Sequence, residues 1–232
     1  MQTGRGESGG IIDRMKKIVV LVSGRGSNMI ALLDACARDA CGERRWNAQV
    51  TAVVSDRAEA PACGLARERG VPLEVVSARA FSDRPSFDHA LGERLSALDP
   101  DLVVLAGFMR ILSPELVSRY QHRMLNIHPS LLPAFAGLHT HRRALASGTR
   151  IHGATVHYVS ADLDAGPIIA QAALPVRDDE DETGLAARVL AAEHRILPRA
   201  VGWHLEGRLR VEGARVRLDS PRPDEEQWVW VP

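Results

Sequence analysis

Two runs of consecutive aliphatic residues, Ile18-Val19-Val20-Leu21-Val22 and Leu102-Val103-Val104-Leu105, constrain this chain most. Neither alternates with polar residues, so each predicts a strand covered on both faces, as in a parallel sheet sandwiched by helices. Both are far shorter than the roughly 20 residues a membrane helix needs. Around them, strands predicted at Lys17–Ser23, Gln49–Ser55, Leu73–Ser77 and Asp101–Ala106 alternate with helices predicted at Asn28–Ala40, Pro61–Arg69 and Ser86–Leu98. That alternation predicts an α/β fold with a parallel sheet, helices on both faces and the two runs at its centre.

The texture changes further on. A helix predicted at Ser113–Tyr120 opens with a cap residue and a proline, and a short strand follows at Met124–His128. Pro129–Thr140 reads as a loop before a short helix. Two strands, Ala154–Val159 and Pro167–Ala173, are joined by an acidic loop, Ser160–Gly166. Leu185, Val189, Leu190, Ile196, Leu197, Ala200 and Val201 form a helical stripe within Thr183–Trp203 that Pro198 is expected to kink or shorten. Arg208–Val211 and Ala214–Leu218 alternate around Glu212-Gly213 and predict a C-terminal hairpin. Residues 1–15 read as a disordered extension, 16–219 as one α/β domain and 220–232 as a tail.

Composition excludes several functions. With 29 Lys and Arg against 29 Asp and Glu, no net field draws nucleic acid or an anionic membrane. Cys36, Cys41 and Cys63 are odd in number and lack zinc-type spacing, which predicts free thiols in a reducing, cytoplasmic compartment. Met1–Arg14 has no apolar core of a secretory signal.

Four segments are candidates for chemistry. Ser23-Gly24-Arg25-Gly26-Ser27-Asn28 lies between the first strand and first helix, where glycines and free N–H groups receive an anion such as phosphate. It is only part of a dinucleotide fingerprint: the third glycine is missing, and the second strand ends in Ser55-Asp56-Arg57. A phosphate site and a plain tight turn both stay open. Ala106–Leu112 leaves a central strand at its carboxyl end, where backbone groups become free to line a ligand. In Leu125-Asn126-Ile127-His128-Pro129, Asn126 and His128 project to one face of a strand, which pairs an amide donor with an imidazole. Asp164 precedes Gly166-Pro167 and is placed to be held against His128, favouring the proton-donating form of that ring, while Asp162 reads as solvated. His139, His141, His152 and His157 could be taken as metal ligands, but no cysteine or carboxylate accompanies them at a familiar spacing, so no metal is expected. Ser27, Ser130 and Cys63 lack the surroundings of a recognised nucleophile.

Taken together, Ser23–Asn28, Ala106–Leu112, Asn126–Pro133, Gly137-Leu138-His139-Thr140-His141, His152–His157 and Asp164–Pro167 resemble the phosphoribosylglycinamide formyltransferases, folate-dependent enzymes of purine synthesis. The similarity runs in order from about Lys16 to Arg210. It implies a Rossmann-like, mostly parallel formyltransferase fold, and transfer of a formyl group from 10-formyltetrahydrofolate to the amine of glycinamide ribonucleotide. It implies a catalytic trio of Asn126, His128 and Asp164, with the ribonucleotide phosphate on Gly26, Ser27 and Asn28 and its ribose near Glu193. Arg84, Met109, Arg110, Ile111, Leu112 and Asn126 would contact the folate. The partners implied are these two small molecules, with no nucleic acid, membrane or metal; a homodimer stays open. Ala134-Phe135-Ala136 and Ala165 depart from residues frequent in the family. The rivals are another formyltransferase of the same fold, such as methionyl-tRNA formyltransferase, a formyltetrahydrofolate hydrolase, and a non-catalytic nucleotide-binding module. The first two normally carry a further domain for which this chain is expected to have no room.

Overall fold

A computed structural model describes residues 14–40, 46–223 and 225–231. Residues 1–13 of the expected disordered extension and Cys41 lie outside the described residues; Arg14 is inside, and its guanidinium holds Asp101 at 2.6 and 2.9 Å.

The elements run β1 (Lys16–Val22), α1 (Ser27–Ala40), β2 (Ala48–Ser55), α2 (Pro61–Glu68), β3 (Leu73–Val75), α3 (Arg84–Leu98), β4 (Leu102–Leu105), α4 (Pro114–Arg119), β5 (Met124–His128), α5 (Thr140–Ala146), β6 (Ile151–Tyr158), β7 (Ile168–Pro175), α6 (Glu182–Leu205), β8 (Leu209–Glu212), β9 (Arg215–Leu218) and β10 (Trp228–Trp230). They build one sheet in the order β3-β2-β1-β4-β5-β6-β7-β9-β8, with β10 beside β7. Strands β3 to β5 pair in parallel; β5–β6, β6–β7 and β8–β9 are antiparallel. The order reverses between β1 and β4, and a doubly wound sheet opens its ligand crevice at such a point.

Both faces are covered, as the two aliphatic runs require. Ile18, Val20 and Val22 point into one core with Leu102, Val104, α1 and α6, while Val19 and Leu21 point into the other with Val103, α3 and α4. Helix starts follow their caps: Asp83 accepts the Ser86 N–H at 2.8 Å, Ser113 accepts that of Leu116 at 3.3 Å, and Asp181 accepts that of Gly184 at 2.7 Å. Among the described residues, no helix is long and apolar enough to cross a membrane.

One expectation is corrected. Pro198 does not shorten α6, which runs through it to Leu205 with the proline buried. Burial of the apolar stripe on both sides of Pro198 outweighs the lost backbone bond. The segment expected as a C-terminal tail docks on the domain through its described residues, 220–223 and 225–231. Glu225 accepts from Arg208 at 2.5 Å and from the Trp203 indole at 3.1 Å, Gln227 donates to the Ile169 and Val216 carbonyls, and β10 pairs in parallel with β7. Polar residues in the segment hid this docking, because they bury their charges and amides against specific partners instead of forming an apolar stripe.

Candidate active site

The crevice is walled on one side by the turn after β1. Gly26 has a φ of +82°, and a Cβ there would sit 2.8 Å from that of Ala62, so the close approach of this turn to α2 requires glycine. The turn delivers Ser27 and Asn28 into the first turn of α1, whose N–H groups have no intrahelical acceptor and suit an anion. The Asn28 side chain does not face that position. It is buried, and its Nδ2 donates to Glu193 Oε2 at 2.6 Å across the interface between α1 and α6, leaving Asn28 Oδ1 without a partner. Burial pushes the Glu193 carboxyl up to about 7, against which the Asn28 bond pulls it down.

The second wall is the segment after β4. Residues 107–112 have no regular secondary structure and are pinned from outside. Ser23 N–H donates to the Gly107 carbonyl (3.2 Å), Ser23 Oγ accepts the Met109 N–H (2.9 Å), Arg110 Nε donates to Asp56 Oδ2 (2.7 Å), and Arg84 Nη2 donates to the Leu112 carbonyl (2.6 Å). Leu112 is buried, whereas Met109 and Ile111 are 68% and 52% exposed, an apolar surface left open beside the crevice.

Between the walls stands the end of β5. Pairing with β6 sets Asn126 opposite His157 and His128 opposite Thr155, so all four side chains share one face. His157 Nδ1 lies 2.9 Å from the Tyr158 carbonyl, which accepts only; the ring proton is therefore on Nδ1, and Nε2 accepts from Asn126 Nδ2 at 3.1 Å. Burial lowers the His157 pKa, in keeping with a neutral ring. This chain of bonds fixes which way the Asn126 carboxamide faces. His128 has an acceptor on each side: Asp164 Oδ2 is 3.4 Å from Nδ1, and the Phe135 carbonyl is 3.1 Å from Nε2. Asp164, with φ +51° and its side chain 10% exposed, also accepts the Gly137 N–H at 2.8 Å, so one carboxylate ties the 160–166 loop to the loop after β5.

Beneath that loop, whose Leu132-Pro133 bond is cis, Thr155 Oγ1 accepts the Leu132 N–H (3.1 Å) and donates to the Ser130 carbonyl (2.7 Å). Gln171 Nε2 donates to both the Leu132 carbonyl and Thr155 Oγ1 at 3.0 Å. Sequence reasoning missed His157, Thr155 and Gln171 as supports. Strand alternation places Thr155 and His157 on one face, but which residues of β5 they meet depends on register.

The other candidates go elsewhere. His152 is fully buried with its ring 5.4 Å from that of His141, and burial with neighbouring histidines lowers its pKa to about 4. No three His, Cys, Asp or Glu residues converge as for a metal ion among the described residues. The Ser130 hydroxyl is taken by the Ala134 carbonyl, Cys63 is buried, and Asp162 is exposed.

A mostly parallel sheet whose order reverses between β1 and β4, a glycine turn at a helix start, an exposed apolar segment and a held Asn–His–Asp group call for comparison with known enzymes. The profile of the formyl transferase family matches residues 16–201. The chain belongs to that family. The phosphoribosylglycinamide formyltransferase of Escherichia coli is 45% identical over 205 residues, spanning 88% of this chain and 94% of the relative. A solved structure of glycinamide ribonucleotide transformylase 1 from Symbiobacterium toebii superposes with a TM-score of 0.84 at 46% identity, over 89% of this chain and 95% of that one. A formyltetrahydrofolate deformylase from Pseudomonas syringae shares the fold of this formyl transferase at 27% identity and a TM-score of 0.82, with 90% of this chain covering 67% of that protein.

Proposed function

We propose that this formyl transferase is a cytoplasmic enzyme that moves the formyl group of 10-formyltetrahydrofolate onto the amine of N1-(5-phosphoribosyl)glycinamide, with Asn126, His128 and Asp164 as its catalytic residues. The observation that carries the reading is their convergence: one carboxylate oxygen of Asp164 meets both His128 and the Gly137 N–H, with Asn126 two residues back on the same strand face. Likeness over nearly the whole chain to phosphoribosylglycinamide formyltransferases supports the choice of substrates.

The chemistry follows from where charge develops. The neutral amine attacks the formyl carbon, a C–N bond forms, and the formyl oxygen becomes an oxyanion. Asn126, its carboxamide oriented by His157, and the His128 ring supply donors to that oxygen; the His128 Nε2–H turns its hydrogen bond from the Phe135 carbonyl to the oxyanion. Losing one such donor typically costs about 10²–10³ in rate. As the tetrahedral intermediate collapses, the bond to N10 of the folate breaks, the amine gives up a proton and the leaving nitrogen takes one, with His128 and Asp164 holding the proton in transit. No covalent enzyme intermediate is required. The ribonucleotide phosphate sits on the N–H groups of Gly26, Ser27 and Asn28, with Glu193 toward the ribose. The folate lies against Met109, Arg110, Ile111 and Leu112, with Arg84 and Asn126 as further contacts.

The test is release of tetrahydrofolate from 10-formyltetrahydrofolate by the purified protein, with and without glycinamide ribonucleotide. Release that depends on the ribonucleotide and matches formylated product one for one is expected; equal release without acceptor would assign a hydrolase.

A further inference from the structure

Asp56 stands just past β2, beside the phosphate turn. Its backbone is held on both sides: the N–H donates to the Val22 carbonyl (3.4 Å), and the carbonyl accepts from Ala78 (3.1 Å). The side chain is 2% exposed, and its Oδ1 is buried without a hydrogen-bond partner. A carboxylate so placed is costly to keep unless a charge meets it. Among the described residues the one donor to it is Arg110 Nε, at 2.7 Å. That bond engages Nε of the guanidinium, and neither Nη group has a partner among the described residues, on a side chain that is 44% exposed.

The segment carrying Arg110 lacks a helix or strand to fix its shape. Of its pins, those from Ser23 and Arg84 grip backbone atoms of Met109 and Leu112. Only Asp56 grips a side chain. An arginine on an irregular segment has many rotamers to lose on meeting a ligand, and a buried carboxylate that holds its Nε removes part of that cost before the ligand arrives. The geometry points to Asp56 as a positioning residue of the folate subsite: its carboxylate aims Arg110 and keeps the 107–112 wall in the shape that receives the folate, without touching the folate itself. This rests on the reading that residues 109–112 face the folate.

Three variants test it by steady-state kinetics with 10-formyltetrahydrofolate and glycinamide ribonucleotide. Asp56→Asn keeps the shape and loses the charge. It is expected to raise the KM for the folate about tenfold, as loss of a charge-assisted bond does, with kcat falling less than about twofold and the ribonucleotide KM unchanged. Arg110→Lys leaves the buried strand end intact and keeps a positive charge but has no Nε–H to be held, so it is expected to raise the folate KM comparably, which keeps the inference testable if Asp56→Asn folds poorly. Arg110→Ala probes the underlying reading: an unchanged folate KM there removes the folate-facing wall and the inference with it. A raised folate KM in Arg110→Ala, together with a normal one in Asp56→Asn or Arg110→Lys, overturns the role of Asp56 alone.

Discussion

On one side of β5 the sheet is parallel and held by burial; on the other, β5, β6 and β7 pair antiparallel and one face is held by hydrogen bonds. Ile18 to Val22 and Leu102 to Val104 are fully shielded from water and packed against helices on both faces. Across β5, β6 and β7, Asn126, His128, Thr155, His157 and Gln171 instead exchange bonds with one another and with the loops above them. Apolar burial is strong but has no direction, so it builds a platform. Hydrogen bonds contribute less net stability but fix angles, and the proposed trio, whose donors would have to be aimed at one developing oxyanion, lies on the half that fixes angles. Removing a group from the polar half should cost rate and spare the fold; removing one from the apolar half should do the reverse.

The largest effect is expected at His128. His128→Ala and Asp164→Asn should each lower kcat by about 10²–10⁴, with the far-UV circular dichroism and the affinity for glycinamide ribonucleotide retained. If Asp164 acts through the His128 ring, the double variant should fall little below the weaker single one. Near-normal kcat in either single variant would strike out the trio.

Ile18→Ala tests the other half. Truncating this fully buried side chain should cost about 2–5 kcal/mol in urea denaturation, since it leaves a cavity between β1 and its covering helices. Turnover per folded molecule should stay near that of the parent protein. A large loss of kcat at undiminished stability would mean that the platform also tunes the reaction, and the contrast between the halves would fail.

The same division decides what was legible in the sequence. Hydrophobic runs announce burial, so β1, β4 and the helices around them could be placed to within a residue or two, and the two runs at the centre of the sheet. Asn126 and His128 were legible as a pair because two residues along a strand return to the same face. Asp164 and Asn28 show what is lost. The hold of Asp164 on Gly137 depends on a left-handed backbone and a loop 27 positions away, and the Asn28 amide turns inward because α6 brings Glu193 to it from 165 positions away. His157 and Thr155 could be put on one face by alternation, but nothing local says that this face meets Asn126 and His128. Glu225 and Gln227 read as tail for the same reason: polar residues that dock through specific bonds carry no period.

The smallest expected effect concerns Glu193, a polar residue placed in the apolar half. Its carboxyl sits near 7 in the folded protein against an ordinary 4.5, because burial between α1 and α6 penalises the charge more than Asn28 relieves it. Between about pH 4.5 and 7 the unfolded chain gives up this proton while the folded one keeps it, so the group's contribution falls as pH rises and the cost is complete above about 7. A shift of this size corresponds to roughly 3 kcal/mol as an upper figure. Glu193→Gln cannot ionise, still accepts the Asn28 bond, and offers a donor to the unpartnered Asn28 Oδ1. It should match the parent protein near pH 5 and exceed it in stability at pH 8, as read from urea denaturation across that range. His152 and His204, both lowered to about 4 by burial, stay neutral when folded and make stability fall as pH drops from 6.5 toward 4; they are present in both proteins and cancel in the difference. If a carboxylate is kept there for the ribose, the more stable variant should also bind glycinamide ribonucleotide more weakly. Parallel stability curves would instead mean that Glu193 ionises as an exposed acid does, and that the apolar half tolerates its charge.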